Sequence, residues 1–103
     1  TNLEEYILLS VYHLKDNAYL VSIKDHLKEK AGISLAIGSV FAPLDRLRKN
    51  GLLRSVNGKP SAKVGGRAIK YYYLTNLGIH ALERRQEVLD TMWVGFKASG
   101  AKV

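Results

Sequence analysis

Eight cations, Arg46, Arg48, Lys49, Arg54, Lys59, Lys63, Arg67 and Lys70, fall between residues 45 and 70 against a single acid, Asp45. Ammonium and guanidinium groups gathered in this way bind phosphate oxygens through charge-assisted hydrogen bonds, so the first chemistry they suggest is recognition of a polyanion. The rest of the 103-residue chain carries eight bases and eight acids, and the whole net charge of +7 therefore sits in that one window. Charge spread for solubility alone does not segregate along a chain; a solvated basic face is the plainer alternative. Catalysis finds no comparable footing. His13, His26 and His80 are scattered without the HExxH spacing of a zinc site. No Gly-x-Ser-x-Gly elbow, Walker-type phosphate loop or Gly-x-Gly-x-x-Gly turn occurs. With no cysteine in the chain, disulfides, thiolate zinc sites and cysteine nucleophiles are excluded, which fits a reducing compartment. The expectation is a binding protein rather than an enzyme, with no cofactor and no metal.

Such a basic segment needs a scaffold to present it. Hydrophobic residues make up 47% of the chain and charged residues 24%, with two prolines and nine glycines, a composition that supports one folded domain and carries no disorder signature. No apolar run approaches the roughly 18 residues of a membrane span, and Thr1 to Ser10 lacks a basic start followed by an apolar stretch. A soluble, cytoplasmic protein without a secretion signal is expected.

Leu3, Ile7, Val11 and Leu14 recur at helical spacing and predict a first helix from about Leu3 to Lys15, ended by Asp16 and Asn17. After a short extended piece at Ala18 and Tyr19, Leu20, Ile23, Leu27 and Ala31 predict a second helix, stopped by Gly32 as a C-cap glycine would stop it. Ile37, Val40, Leu44 and Leu47 predict a third, with Ser39, Ala42, Arg46 and Lys49 toward its other side and Asn50-Gly51 closing it. Pro43 falls inside that pattern, so the helix either begins only a few residues earlier or bends there. Leu52 to Asn57 and Ala68 to Leu74 read as strands of a hairpin around a glycine-rich loop, Asn57 to Gly66. Thr75 is a plausible N-cap, and Ala81, Leu82, Val88, Leu89, Met92, Trp93 and Phe96 continue a helical stripe to the C-terminus.

The fold class expected is mainly α with a small antiparallel β-hairpin: a winged helix-turn-helix over residues 1–75, plus a C-terminal dimerisation helix and tail over 76–103, in one compact unit. The positive window then lies on the third helix and the wing. In such a module the third helix enters the major groove of double-stranded DNA, about 12 Å wide, while the wing reaches phosphates or the neighbouring minor groove.

Two segments sharpen this. Gly38-Ser39-Val40-Phe41-Ala42-Pro43-Leu44-Asp45-Arg46-Leu47 is followed by Asn50-Gly51-Leu52, and Gly65-Gly66-Arg67 precedes Tyr71-Tyr72-Tyr73-Leu74-Thr75 with Gly78. In these the chain resembles the PadR family of bacterial transcriptional regulators, whose third helix often reads Gly-Thr-x-Tyr-Pro-x-Leu-x-Arg-Leu and whose wing returns through Gly-Gly-Arg and Tyr-Tyr-x-Leu-Thr. Asn17-Ala18-Tyr19 occupies the place of the family's His-Gly-Tyr. Ser39 replaces a threonine, Phe41 replaces a tyrosine whose hydroxyl could bond a phosphate, and Pro43 stands one place late. The resemblance implies that Tyr19, Ser39 and Arg46 lie near DNA and that Arg67 anchors the wing. Charge and position alone add Lys49, Lys59, Lys63 and Lys70 as phosphate contacts. Ser39, Asp45, Arg46 and Lys49 are the side chains placed to meet base edges, although Arg46 has the alternative of pairing with an acid on its own or another helix. Tyr71, Tyr72 and Tyr73 alternate faces, so at least one belongs to the core rather than to a stacking platform for bases.

Leu82, Leu89 and Phe96 are spaced by seven, with Met92 between them and Val88 and Trp93 beside them. The resemblance implies a homodimer through this helix, presenting two third helices to half-sites about 34 Å apart; packing of the stripe on the first helix of its own chain is the alternative. Met92, Trp93 and Phe96 are also candidates for a pocket at that interface, as in family members that bind flat aromatic effectors, although aromatics at helical spacing more often form interface core. The function expected is sequence-specific transcriptional regulation, read first as repression at a palindromic operator. Architectural DNA binding, RNA binding and docking of an acidic protein are the rivals.

Overall fold

The computed structural model describes residues 2–60 and 68–96, without the side chains of Lys59 and Pro60. Helix α1 spans Asn2–Leu14, with Glu4 and Glu5 in its first turn and His13 in its last, each at the end where the helix dipole favours its charge. It buries Ile7, Leu8, Ser10 and Val11. Lys15, at φ 52°, breaks it into a single 3-10 turn, Lys15–Asn17.

Helix α2 spans Leu20–Ala31 and is entered through a clasp: the Ser22 hydroxyl accepts the Tyr19 N–H at 2.9 Å and donates to the Asn17 carbonyl at 2.7 Å. Gly32 takes φ 69° and gives its N–H to Lys28 while Ile33 gives its own to Leu27, the paired bonds of a left-handed C-cap. Helix α3 spans Ile37–Lys49, so Pro43 is its seventh residue and lies past the first turn. A helix that begins only a few residues before the proline is thereby excluded, and the Ser39 carbonyl has no N–H to accept from Pro43. The proline is nonetheless retained in the buried face, beside Val40, Leu44 and Leu47.

Strand β1, Leu53–Pro60, pairs antiparallel with β2, Ala68–Leu74, from Leu53 opposite Leu74 to Asn57 opposite Lys70; the register then shifts to Pro60 opposite Ala68. The first strand thus runs beyond Asn57, where Gly58 and Pro60 predicted loop. The register shift absorbs those residues, and Gly58 is the only type that fits its place, since a Cβ there would stand 2.5 Å from a ring carbon of Tyr71. The extended pair Ala18–Tyr19 adds a further rung on the other edge of β2: Tyr72 donates to the Ala18 carbonyl at 2.8 Å and Tyr19 bridges Tyr71. Tyr72 is the buried member of the tyrosine run, and burial pushes its phenol pKa up.

One apolar core joins these parts: Ile7, Leu8 and Val11 of α1, Ala18, Ile23 and Leu27, Val40, Leu44 and Leu47 of α3, then Leu53 and Tyr72 of the wing. Each such side chain taken fully out of water contributes about 1.5–3 kcal/mol. Helix α4, Asn76–Trp93, starts where Thr75 accepts the Gly78 N–H at 3.1 Å and donates its hydroxyl proton to the Gly51 carbonyl. Leu82 packs against the core and Leu89 is half-buried, but Val88, Met92 and Trp93 are exposed. The helical stripe stops short of Phe96. After α4 ends, Gly95 turns the chain at φ 82°, and the Phe96 ring meets Trp93 edge to face at 4.8 Å instead of forming a third heptad rung. No helix among the described residues is long and apolar enough to cross a membrane.

Candidate nucleic-acid interface

With 100° between successive residues, burying Val40, Pro43, Leu44 and Leu47 turns Gly38, Ala42, Asp45 and Lys49 directly outward on α3. Ser39 and Arg46, seven residues apart, share the flank toward α1. Phe41 takes the opposite flank, toward the wing. The helix therefore presents a low floor of Gly38 and Ala42 at its N-terminal half and its charges at its C-terminal half.

Those charges are held. Arg48 clasps one Asp45 oxygen with Nε at 3.0 Å and Nη2 at 2.9 Å, and Lys49 approaches the other at 3.3 Å. Hydrogen bonding by Arg48 is the largest cause that keeps the Asp45 carboxyl below its ordinary pKa. Asp45 thus orders its two basic neighbours rather than standing free for a base edge. Lys49 keeps 68% of its side chain exposed. Arg46 is 55% exposed and bonds Glu4 of α1 through Nε at 3.0 Å, the interhelical form of the pairing alternative.

Tyr19 is half-buried at the entrance to α2, its ring edge-on to Tyr71 at 5.8 Å. Ser39 and Lys70 are exposed. Lys59 lies in β1, its side chain outside the described set, and Lys63 and Arg67 lie outside the described residues. Arg54 stacks its guanidinium on Tyr73 at 4.6 Å. So α3 brings Ser39, Arg46 and Lys49 to one element, and Lys70 and Tyr19 stand across a cleft from it. That cleft, about 270 Å³, is lined by Tyr19, Val21, Phe41, Ile69 and Lys70 among others.

Two neighbours of these side chains escaped sequence reasoning. Glu4 lies 42 residues from Arg46, beyond any local pattern. Val21 falls off the apolar stripe of its helix, as Phe41 does on α3, and that offset is the signal that they face outward. On α4, Val88 and Met92 line a shallow cleft with Arg84, Glu87 and Thr91, while Trp93 and Phe96 meet edge to face beyond its lining.

The histidines lie apart from this face. His26 Nδ1 and the buried Ser10 hydroxyl lie 2.8 Å apart, His13 stacks on His26 at 5.8 Å, and His80 faces Glu83 at 3.4 Å. Among the described residues no three His, Asp or Glu side chains gather as a metal-holding group. Desolvation first, then the charges of His13 and Lys30 against that of Glu29, lower the His26 pKa from its ordinary 6.5. The folded chain therefore binds this proton less readily than the unfolded one, and its contribution to stability is present above pH 6.5 and lost as pH falls below it. Thermal unfolding should shift to lower temperature between pH 7.5 and 5.5, and His26→Gln should flatten that shift; a parallel shift in the variant refutes the assignment.

The transcriptional regulator PadR-like family matches residues 8–84. A PadR-like transcription factor from Bacteroides fragilis is similar at 30% identity and TM-score 0.74, over 88% of this chain and 82% of that one. A PadR family regulator from Clostridium difficile is similar at 26% identity and TM-score 0.66, over 85% and 88%. RosR of H. salinarum, at 24% identity, shares the fold with TM-score 0.73 over 94% and 80%. Among curated proteins none matches.

Proposed function

The chain belongs to the PadR-like family of transcriptional regulators, and on that premise we propose that it represses transcription as a homodimer on a palindromic operator, with α3 in the major groove and the wing on flanking phosphates. The observation that carries this reading is the coincidence of charge with architecture: of the eight cations in the window that holds the net +7, six lie on the C-terminal part of α3 and the two strands, the elements a winged helix turns to DNA. Ser39, Arg46 and Lys49 meet DNA from α3, and Tyr19, Lys59, Lys63, Arg67 and Lys70 from its surroundings. Leu82, Val88, Leu89, Met92, Trp93 and Phe96 form the seam between protomers, and a flat aromatic effector against Met92, Trp93 and Phe96 is the regulatory extension. Such a regulator works in the cytoplasm, on the nucleoid when bound.

The test is fluorescence anisotropy with a duplex selected from a palindromic library, beside a scrambled duplex, from about 50 to 200 mM salt. A preference near a thousandfold that survives the higher salt supports the reading. Equal, salt-sensitive binding to both duplexes replaces it with an architectural role.

Lys59→Ala with Lys63→Ala probes the wing. The pair should weaken every duplex alike and flatten the dependence of log K on log salt by about one unit per lost phosphate contact. An unchanged slope removes these lysines from the interface.

A further inference from the structure

The N-terminal half of α3, Ile37 to Ala42, is almost bare of hydrogen-bonding side chains: Ser39 alone has one. Gly38 is open, with nothing within 4 Å of where a Cβ would stand. Around it Ile37, Phe41 and Val21 are each 43% exposed, large apolar side chains left to water beside the cationic elements. Ile37 and Phe41 are one turn apart on the same flank, and Phe41 and Val21 line the same cleft between α2, α3 and the wing. Cations border this carbon surface. Lys70 lines that cleft, and Arg46 and Lys49 line a second one shared with Phe41 and Ala42.

An apolar floor within a cationic border fits a polyanion that itself displays aliphatic groups. Duplex DNA does so in one place, the 5-methyl of thymine in the major groove. RNA carries uracil without that methyl, and its A-form major groove is too narrow to admit the helix. Hydrogen-bond readout is poorly served here, because Arg46 is drawn aside to Glu4 while Arg48 and Lys49 turn to Asp45.

We propose that Phe41 and Val21, over the low floor of Gly38 and Ala42, select DNA by contact with thymine methyl groups. The inference rests on the reading of α3 as the helix in the groove, and names what that helix reads.

The decisive change is made in the DNA. In the duplex selected above, each thymine of one half-site is replaced in turn by deoxyuridine, which deletes the methyl and keeps the base pair. Affinity should fall roughly fourfold at each contacted thymine, the worth of one buried carbon, and Phe41→Ala, with unfolding temperature checked, should bind the dT and dU duplexes alike. Wild-type protein that prefers selected to scrambled DNA yet ignores every dT-to-dU change overturns the methyl reading and leaves the DNA interface standing. Equal binding to selected and scrambled duplexes overturns the interface and the methyl reading together. Undiminished methyl discrimination in both Phe41→Ala and Val21→Ala moves it away from these residues and overturns their assignment.

Discussion

Leu89→Asp should yield a folded monomer whose affinity for the selected duplex is lower by about a hundredfold or more, since a second half-site engaged through a rigid dimer multiplies affinity by that order without new contacts. Leu82, at the inner end of the seam, is partly buried against the core, whereas beyond it α4 leaves Val88 half-exposed and Met92 76% exposed, with Leu89 half-buried between them. Apolar side chains repeated along one helix beyond its own core mark an interaction surface. A carboxylate at the centre of that surface has to be desolvated for two protomers to meet, which costs several kcal/mol when unpaired. Sedimentation and circular dichroism separate the outcomes: unchanged helicity with halved mass supports the seam, and a dimer that survives refutes it.

In the proposed dimer α4 matters to DNA only if it is fixed relative to α3, and α1 braces the two. Its neighbouring acids face in two directions: Glu4 holds Arg46 of α3, and Glu5 holds Arg85 of α4 at 3.3 Å. Exposed pairs of this kind stabilise by no more than about 1 kcal/mol each. Their consequence is orientation. Helix α1 also buries Ile7, Leu8 and Val11 into the core that seats α3, so in the proposed dimer α1 would set the spacing of the two third helices.

What the sequence disclosed and what it withheld divide along range. Periodicity located the four helices of the described residues, because an apolar stripe is written every three or four residues whatever it packs on. Gly32 and Thr75 marked ends for equally local reasons, a left-handed cap and a hydroxyl within reach of the third helical N–H. Ala18–Tyr19 as a rung on β2, Gly58 beneath the Tyr71 ring, and Glu4 against Arg46 all depend on partners tens of residues away. For the site, charge clustering identified the elements but not which cations stand free: Asp45 reads as one acid among eight bases and turns out to engage two of them. Phe41 shows the converse, an apolar residue whose position off the stripe carried more information than its chemistry.

Gly78→Ala should destabilise the fold by about 3 kcal/mol, although alanine is the better helix former by about 1. Gly78 is the third residue of α4 and is buried where the helix crosses the end of α3's connection to the wing. A Cβ there would overlap the Leu52 carbonyl oxygen and crowd its carbon at 3.2 Å. That carbonyl cannot simply withdraw, because it accepts the Thr75 N–H at 3.2 Å, and Thr75 also caps Gly78 and bonds the Gly51 carbonyl. One methyl therefore strains the junction that joins α3, β1 and α4. Gly38→Ala provides the opposite sign: helical, open on all sides and free of strain, it should stabilise by about 0.5 kcal/mol. Denaturant unfolding of the two variants distinguishes close approach from helix propensity. If Gly78→Ala is as stable as the parent, α4 is not seated on Leu52, and its orientation must be set elsewhere.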